Sequence, residues 1–263
     1  MIPIVFVYSE IGFHRDAQLA AAVECAHLHS PHTPTVLLQN PESERSKAYQ
    51  KMFQWLPTSN PMAFEFSSIV RWIYLLDYME QNNCESVFHC DCDVLIFQDM
   101  ELEAEGWFRD FDYTITTNPD KRVATCVNGG SSLIRLPVIR SFVDFMFERG
   151  GKESQDMALW GAFQESHPQF KCGEMHQIRD GAIYDLTLCG GLPGFELDPL
   201  DKGENAWGLK NKLILWKAGK PHFRFVGSQE VVRAKTLHCW AYGKMIMRRL
   251  VEESKASMTP DNP

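Results

Sequence analysis

The chain has 263 residues, 44% hydrophobic and 23% charged, with a formal net charge of -8. That composition excludes the disordered and fibrous classes and suits a single domain with a sizeable core. The acidic balance, with no basic stripe, excludes generic nucleic-acid binding through phosphate neutralisation.

No apolar run reaches the roughly 20 residues needed to span a bilayer, and residues 4–7 lack the basic leader of a signal peptide. The expectation is a cytoplasmic protein without a transmembrane segment, with peripheral membrane contact left open. Eight cysteines occur without a C-x-x-C pair, so reduced thiols are expected rather than a disulfide framework.

Residues 4–8 form a short apolar run that predicts a strand, and Ala and Leu at helical spacing over 14–28 predict a helix. Thr35 to Gln39, bounded by Pro34 and Pro41, predicts a second strand in parallel pairing, which makes the fold α/β. Phe66, Ile69, Val70, Ile73 and Leu76 place a helix over 64–79, and Asn82-Asn83 stops it before a strand that begins at Ser86. Further strands are expected at 113–117 and 131–135, and helices at 137–147 and 156–165. Residues 213–225 read as a hairpin, the last helix as 243–252, and 254–263 as a disordered tail. Gly150-Gly151 is the best candidate break within an otherwise continuous domain.

The chemistry concentrates in His89-Cys90-Asp91-Cys92-Asp93. In an extended chain, alternate side chains share a face. Asp91 and Asp93 can then converge on one divalent ion while Cys90 and Cys92 turn to the core. Oxygen ligands suit magnesium or manganese, which in turn bind diphosphate oxygens, so an acidic protein can hold an anionic donor. His89 has the parity of the aspartates and is an open third ligand. A thiol site for zinc is a poor fit, because parity separates the thiols from the other groups.

With these residues the sequence resembles glycosyltransferases of the GT-A fold, most closely the retaining galactosyl/glucosyltransferase group, whose motif reads Leu-Asp-Ala-Asp after a strand. The resemblance implies a Rossmann-like mixed sheet flanked by helices in a domain over 1–253, with a nucleotide-binding half over about 1–100 and an acceptor-side half over about 101–253. It implies a manganese or magnesium ion, a nucleotide-sugar donor such as a uridine diphosphate (UDP) sugar, and a carbohydrate or other hydroxyl acceptor.

Residue by residue, the resemblance places Tyr8 and Ser9 at the base, Arg71 against the donor or the aspartates, and Asn128-Gly129-Gly130 beside the sugar and acceptor. Gln155 and Asp156 fall near the transferred sugar. Asp91 and Asp93 are metal ligands, Asp91 also meeting the donor. His238 and Lys244, six residues apart, match a C-terminal metal-ligand His and a diphosphate-contacting Lys. The family's usual Gly three residues after the His is Ala241 here, with Gly243 nearby. The stereochemical outcome stays open, Asp156 being the general base if the reaction inverts.

Two other readings compete. A sugar nucleotidyltransferase would carry a Gly-rich loop after the first strand, where only Gly12 stands. A catalytically silent sugar-binding module would retain the fold without needing Asp91, Asp93 and His238.

Overall fold

The computed structural model describes residues 2–8, 15–39, 41–54, 60–117, 127–152, 155–190, 193–203 and 208–259. The chain divides into two compact units interleaved in sequence: Met1–Arg15, Thr33–Asp91 and Met100–Glu174 form the first, and Asp16–His32, Cys92–Asp99 and Met175–Pro263 the second.

The first unit is built on a seven-stranded mixed sheet. Strands β1 (Ile4–Tyr8) and β2 (Thr35–Gln39) pair in parallel, and β1 also pairs in parallel with β3 (Ser86–Cys90). Beyond β3 the order is β7 (Ser131–Arg135), β5 (Tyr113–Thr117) and β6 (Val127–Asn128), all antiparallel, with β8 (Cys172–Glu174) parallel to β5. Ile4, Val5 and Phe6 are wholly buried, as expected for an unbroken apolar strand flanked by parallel neighbours.

Helices α2 (Glu44–Met52), α3 (Met62–Gln81), α5 (Leu136–Glu148) and α6 (Asp156–Ser166) accompany this sheet, with α4 (Met100–Glu105) after the acidic motif. In α3 the buried Ile69, Trp72, Ile73, Leu76 and Met79 recur at helical spacing and join Phe142, Met146, Trp160 and Phe163 in one core. The indole of Trp160 stacks on Phe142 at 3.7 Å and meets Trp72 edge-on at 5.2 Å. Each such ring contributes on the order of 1.5–3 kcal/mol through burial. Even α3, the longest of the described helices, carries Glu65, Arg71, Asp77 and Glu80, and no described helix is long and apolar enough to cross a membrane.

The second unit holds α1 (Arg15–His29), two small sheets and α7 (Met247–Ala256). One sheet has the order β10 (Leu186–Thr187), β14 (Thr236–His238), β4 (Val94–Ile96). The other has the order β11 (Leu215–Lys217), β12 (Lys220–Arg224), β13 (Val231–Ala234), β9 (Ala182–Ile183). The hairpin expected over 213–225 is β11–β12, turning through Ala218 and Gly219, both at positive φ.

Several expectations are corrected. Strand β3 ends at Cys90 and residues 92–93 turn, so the extended alternation does not run through Asp93, and β4 lies in a different sheet. Gly150-Gly151 is no boundary: a side chain on Gly151 would lie 2.4 Å from the Met52 carbonyl oxygen, and the Gly151 carbonyl accepts from Gln54 N–H at 2.8 Å, within the first unit. The last helix begins after a 3₁₀ segment, Ala241–Ile246, and continues to Ala256. Ser254 is therefore not tail but buried, donating to the Gly219 carbonyl at 2.6 Å and meeting His29 Nε2 at 3.0 Å. Among the described residues seven cysteines are free, in line with reduced thiols.

The His29 contact makes a prediction. Burial first, and Lys220 second, lower the His29 pKa to about 4. A histidine whose folded pKa is depressed stabilises the fold above its unfolded value near 6.5 and loses that contribution as pH falls towards 4. Thermal melts from pH 7 to 4 should therefore show an acid-side loss of up to about 3 kcal/mol that His29→Gln removes. Parallel acid profiles for the two proteins would refute the assignment.

Candidate functional site

In the first unit the residues of interest gather around Arg71. The helical spacing of α3 turns this side chain towards the end of β3, where its guanidinium pairs through Nη1 with Asp91 and through Nη2 with Asp156 at 2.5 Å. All three groups are largely buried, with side-chain exposures of 14%, 23% and 9% in that order. Asp156 opens α6, where a carboxylate also faces the positive end of the helix dipole. Burial raises its pKa and the Asp91 charge adds to that, while Arg71 works the other way.

The 128–130 turn closes over the same carboxylate. Asp91 N–H donates to the Gly130 carbonyl at 2.7 Å, and the Asn128 Oδ1 accepts from Gly130 N–H at 2.8 Å. A Cβ on Gly130 would stand 2.8 Å from Asp91 Oδ2, and one on Gly129 would stand 2.8 Å from the Trp72 ring. Two glycines in a row are what this close approach requires. Gln155 caps α6 through its backbone, its carbonyl accepting from Leu159 N–H at 3.1 Å. Tyr8 is buried at the carboxyl end of β1, whereas Ser9 and Gly12 lie outside the described residues.

His89 is wholly buried with its ring edge-on to Trp72 at 4.8 Å and its Nε2 3.5 Å from Asp91 Oδ1. Burial lowers its pKa and Asp91 only partly opposes this, so the ring is neutral at physiological pH. Cys90 is buried as strand parity requires, but Cys92 is only half-buried. It lies in the turn, beyond the strand whose alternation would have turned it inward.

The second unit carries its own constellation at one end of the β10–β14–β4 sheet. His238 ends β14 opposite Val94, and the Cys239 N–H donates to the Asp93 carbonyl at 2.7 Å, which brings His238 beside Asp93. The His238 Nε2 lies 3.5 Å from Asp93 Oδ1, and Lys244 Nζ, on the 3₁₀ segment, lies 2.8 Å from Asp93 Oδ2. The sequence spacing of His238 and Lys244 thus corresponds to a shared contact with one carboxylate.

A further carboxylate, Asp185, sits just before β10 with Oδ1 3.3 Å from His238 Nδ1. No motif marks Asp185 in the sequence, where it follows Tyr184 in an apolar stretch. Its role is visible only once β10 and β14 pair. Burial opposes ionisation of Asp93, but His238 and Lys244 outweigh it and hold the carboxyl well below the usual range. Burial likewise disfavours the His238 imidazolium, yet Asp93 and Asp185 raise its pKa well above the ordinary value.

Among the described residues no group of three or more His, Cys, Asp or Glu converges as a complete metal cage. Asp93 and His238 do provide an oxygen and a nitrogen donor side by side, the carboxylate being the donor type that manganese and magnesium take. Lys244 adds a cation at the same carboxylate.

No family model and no curated protein matches the chain. Among solved structures, the chain is similar to an active-site mutant of LgtC, at 13% identity over 96% of both chains with a TM-score of 0.52. It is also similar to the galactosyltransferase LgtC in complex with donor and acceptor sugar analogues, at 13% identity over 96% of both chains with a TM-score of 0.51. The chain therefore has the mixed α/β fold of the GT-A glycosyltransferases, as the sequence resemblance implied.

The Arg71 pairing predicts a specific energetic pattern. Arg71→Ala leaves Asp156 buried without its cation and should cost about 3 kcal/mol in urea denaturation. Asp156→Asn in that background should restore part of the loss, as coupled neighbours do. A cost below roughly 1 kcal/mol would mean the pair is solvent-screened.

Proposed function

We propose that the chain is a metal-dependent glycosyltransferase that moves a hexose from a UDP-sugar to an acceptor hydroxyl. The observation that carries the reading is the cluster of Asp93, His238 and Lys244 at one end of the small sheet, in a chain whose fold is that of glycosyl-transferring neighbours. A carboxylate, an imidazole and an ammonium are the groups needed to hold a divalent ion and face a diphosphate in a protein of net charge -8.

In this reading Asp93 and His238 are metal ligands, and the Asp-x-Asp spacing of the sequence adds Asp91. When bound, the ion would stabilise the charge that develops on the departing nucleoside diphosphate. Lys244 exchanges its contact with Asp93 for a diphosphate oxygen. Arg71 holds Asp91 and Asp156 in fixed orientations, so Asp156, with Gln155 beside it, positions sugar hydroxyls. Asn128, Gly129 and Gly130 border the sugar and acceptor, and Tyr8 and Ser9 meet the base. Retention at the anomeric carbon follows from the likeness of His238 and Lys244 to the retaining group, with attack from the leaving-group face.

Thermal shift with UDP and manganese tests this directly. At a hundredfold excess over Kd the pair should stabilise the chain by about 2.7 kcal/mol, a shift of several degrees. Neither alone should match it, and Asp93→Ala or His238→Ala should abolish it. Gly130→Ala, which pushes on the Asp91 carboxylate, should weaken it without preventing folding. Nucleotide binding without sugar transfer or donor hydrolysis would favour a silent module. No metal-dependent nucleotide stabilisation at all would sink the proposal.

A further inference from the structure

The environment of Asp185 is unusual for a carboxylate. Only 1% of the residue is exposed, between the buried Tyr184 and Leu186, and its backbone is in the left-handed region at φ 50. Asp tolerates that region better than most residues, but it remains uncommon outside glycine. The conformation is held by the Asp185 N–H, which donates to the Thr236 hydroxyl at 2.7 Å on the neighbouring strand. Burying a carboxylate is costly unless a partner offsets it. Here the partner is the imidazole two residues beyond Thr236, whose Nδ1 lies 3.3 Å from Asp185 Oδ1.

We propose that Asp185 is a positioning residue for His238: its carboxylate takes the Nδ1–H and so turns Nε2 towards Asp93 and a divalent ion. The inference rests on the proposed function in one respect, the assignment of His238 as a metal ligand. The physical logic is independent of the reaction. A metal-binding imidazole works with one nitrogen and needs the other fixed by an acceptor, which sets ring orientation and strengthens the donor. His238 ends the central strand β14, while Asp185 and Asp93 immediately precede its two neighbours β10 and β4, so the backbone pairing on either side of β14 brings each carboxylate to the imidazole. Thr236 holds the Asp185 backbone through its N–H.

Two variants separate this role from simple packing. Asp185→Gly keeps a backbone at ease with positive φ but removes the carboxylate. Asp185→Asn keeps an oxygen acceptor and the side-chain volume, and serves if the glycine variant does not fold. Manganese titration followed by electron paramagnetic resonance, without nucleotide, should show binding weakened about 10- to 100-fold in Asp185→Gly. The loss should be smaller in Asp185→Asn. In a His238→Ala background, Asp185→Gly should change manganese affinity no further.

Independently of metal, heteronuclear NMR of the ion-free protein should show a protected His238 Nδ1 proton that Asp185→Gly removes. Unchanged manganese affinity together with a surviving Nδ1 proton would overturn the proposal. If the unaltered chain binds no manganese, the metal assignment of His238 fails, and the Nδ1 proton alone decides whether Asp185 orients the ring.

Discussion

A guanidinium held between two carboxylates organises the first unit. Arg71 leaves α3 beside Trp72, a member of the buried apolar face, over whose ring its charged end lies at 4.9 Å. A cation in such surroundings is tolerable only if its charge is matched, and Asp91 and Asp156 match it from the end of β3 and the start of α6. The 128–130 turn can lie against Asp91 only because two glycines leave room. These two ion pairs therefore tie together Asp91, two helices and the turn.

The second unit solves a related problem with opposite emphasis. There a carboxylate is central: Asp93 is reached by an imidazole and an ammonium, and the imidazole is held from behind by Asp185. These charged groups gather at one end of a sheet of very short strands, where backbone pairing between β14 and β4 determines which side chains meet.

Much of the fold was legible beforehand because it depends on periodicity. The apolar runs at 4–8 and 35–39, the helical stripe along α3 and the β11–β12 hairpin all follow from spacing and turn residues. Within the acidic motif, strand parity does not extend as far as the sequence suggests. Extended alternation holds only while the chain is paired, and pairing stops at Cys90, so Cys92 is not turned inward with Cys90. The C-terminal end was misjudged for a comparable reason. The polar stretch from Ser254 onward resembles a tail until His29 and Gly219 give Ser254 its hydrogen bonds.

The sequence by itself determined the secondary structure of the sheet core, the presence of two carboxylates two residues apart, and the pairing of a histidine with a lysine six residues on. These are local properties, set by side-chain size, spacing and backbone preference. Only the tertiary structure decided that Arg71 bridges Asp91 and Asp156, and that His238 and Lys244 meet on Asp93. It also decided that an aspartate with no motif around it stands behind His238. Those facts depend on strand order and register between segments far apart in the chain, and the electrostatic partners of a buried charge are fixed by that register rather than by its neighbours in sequence.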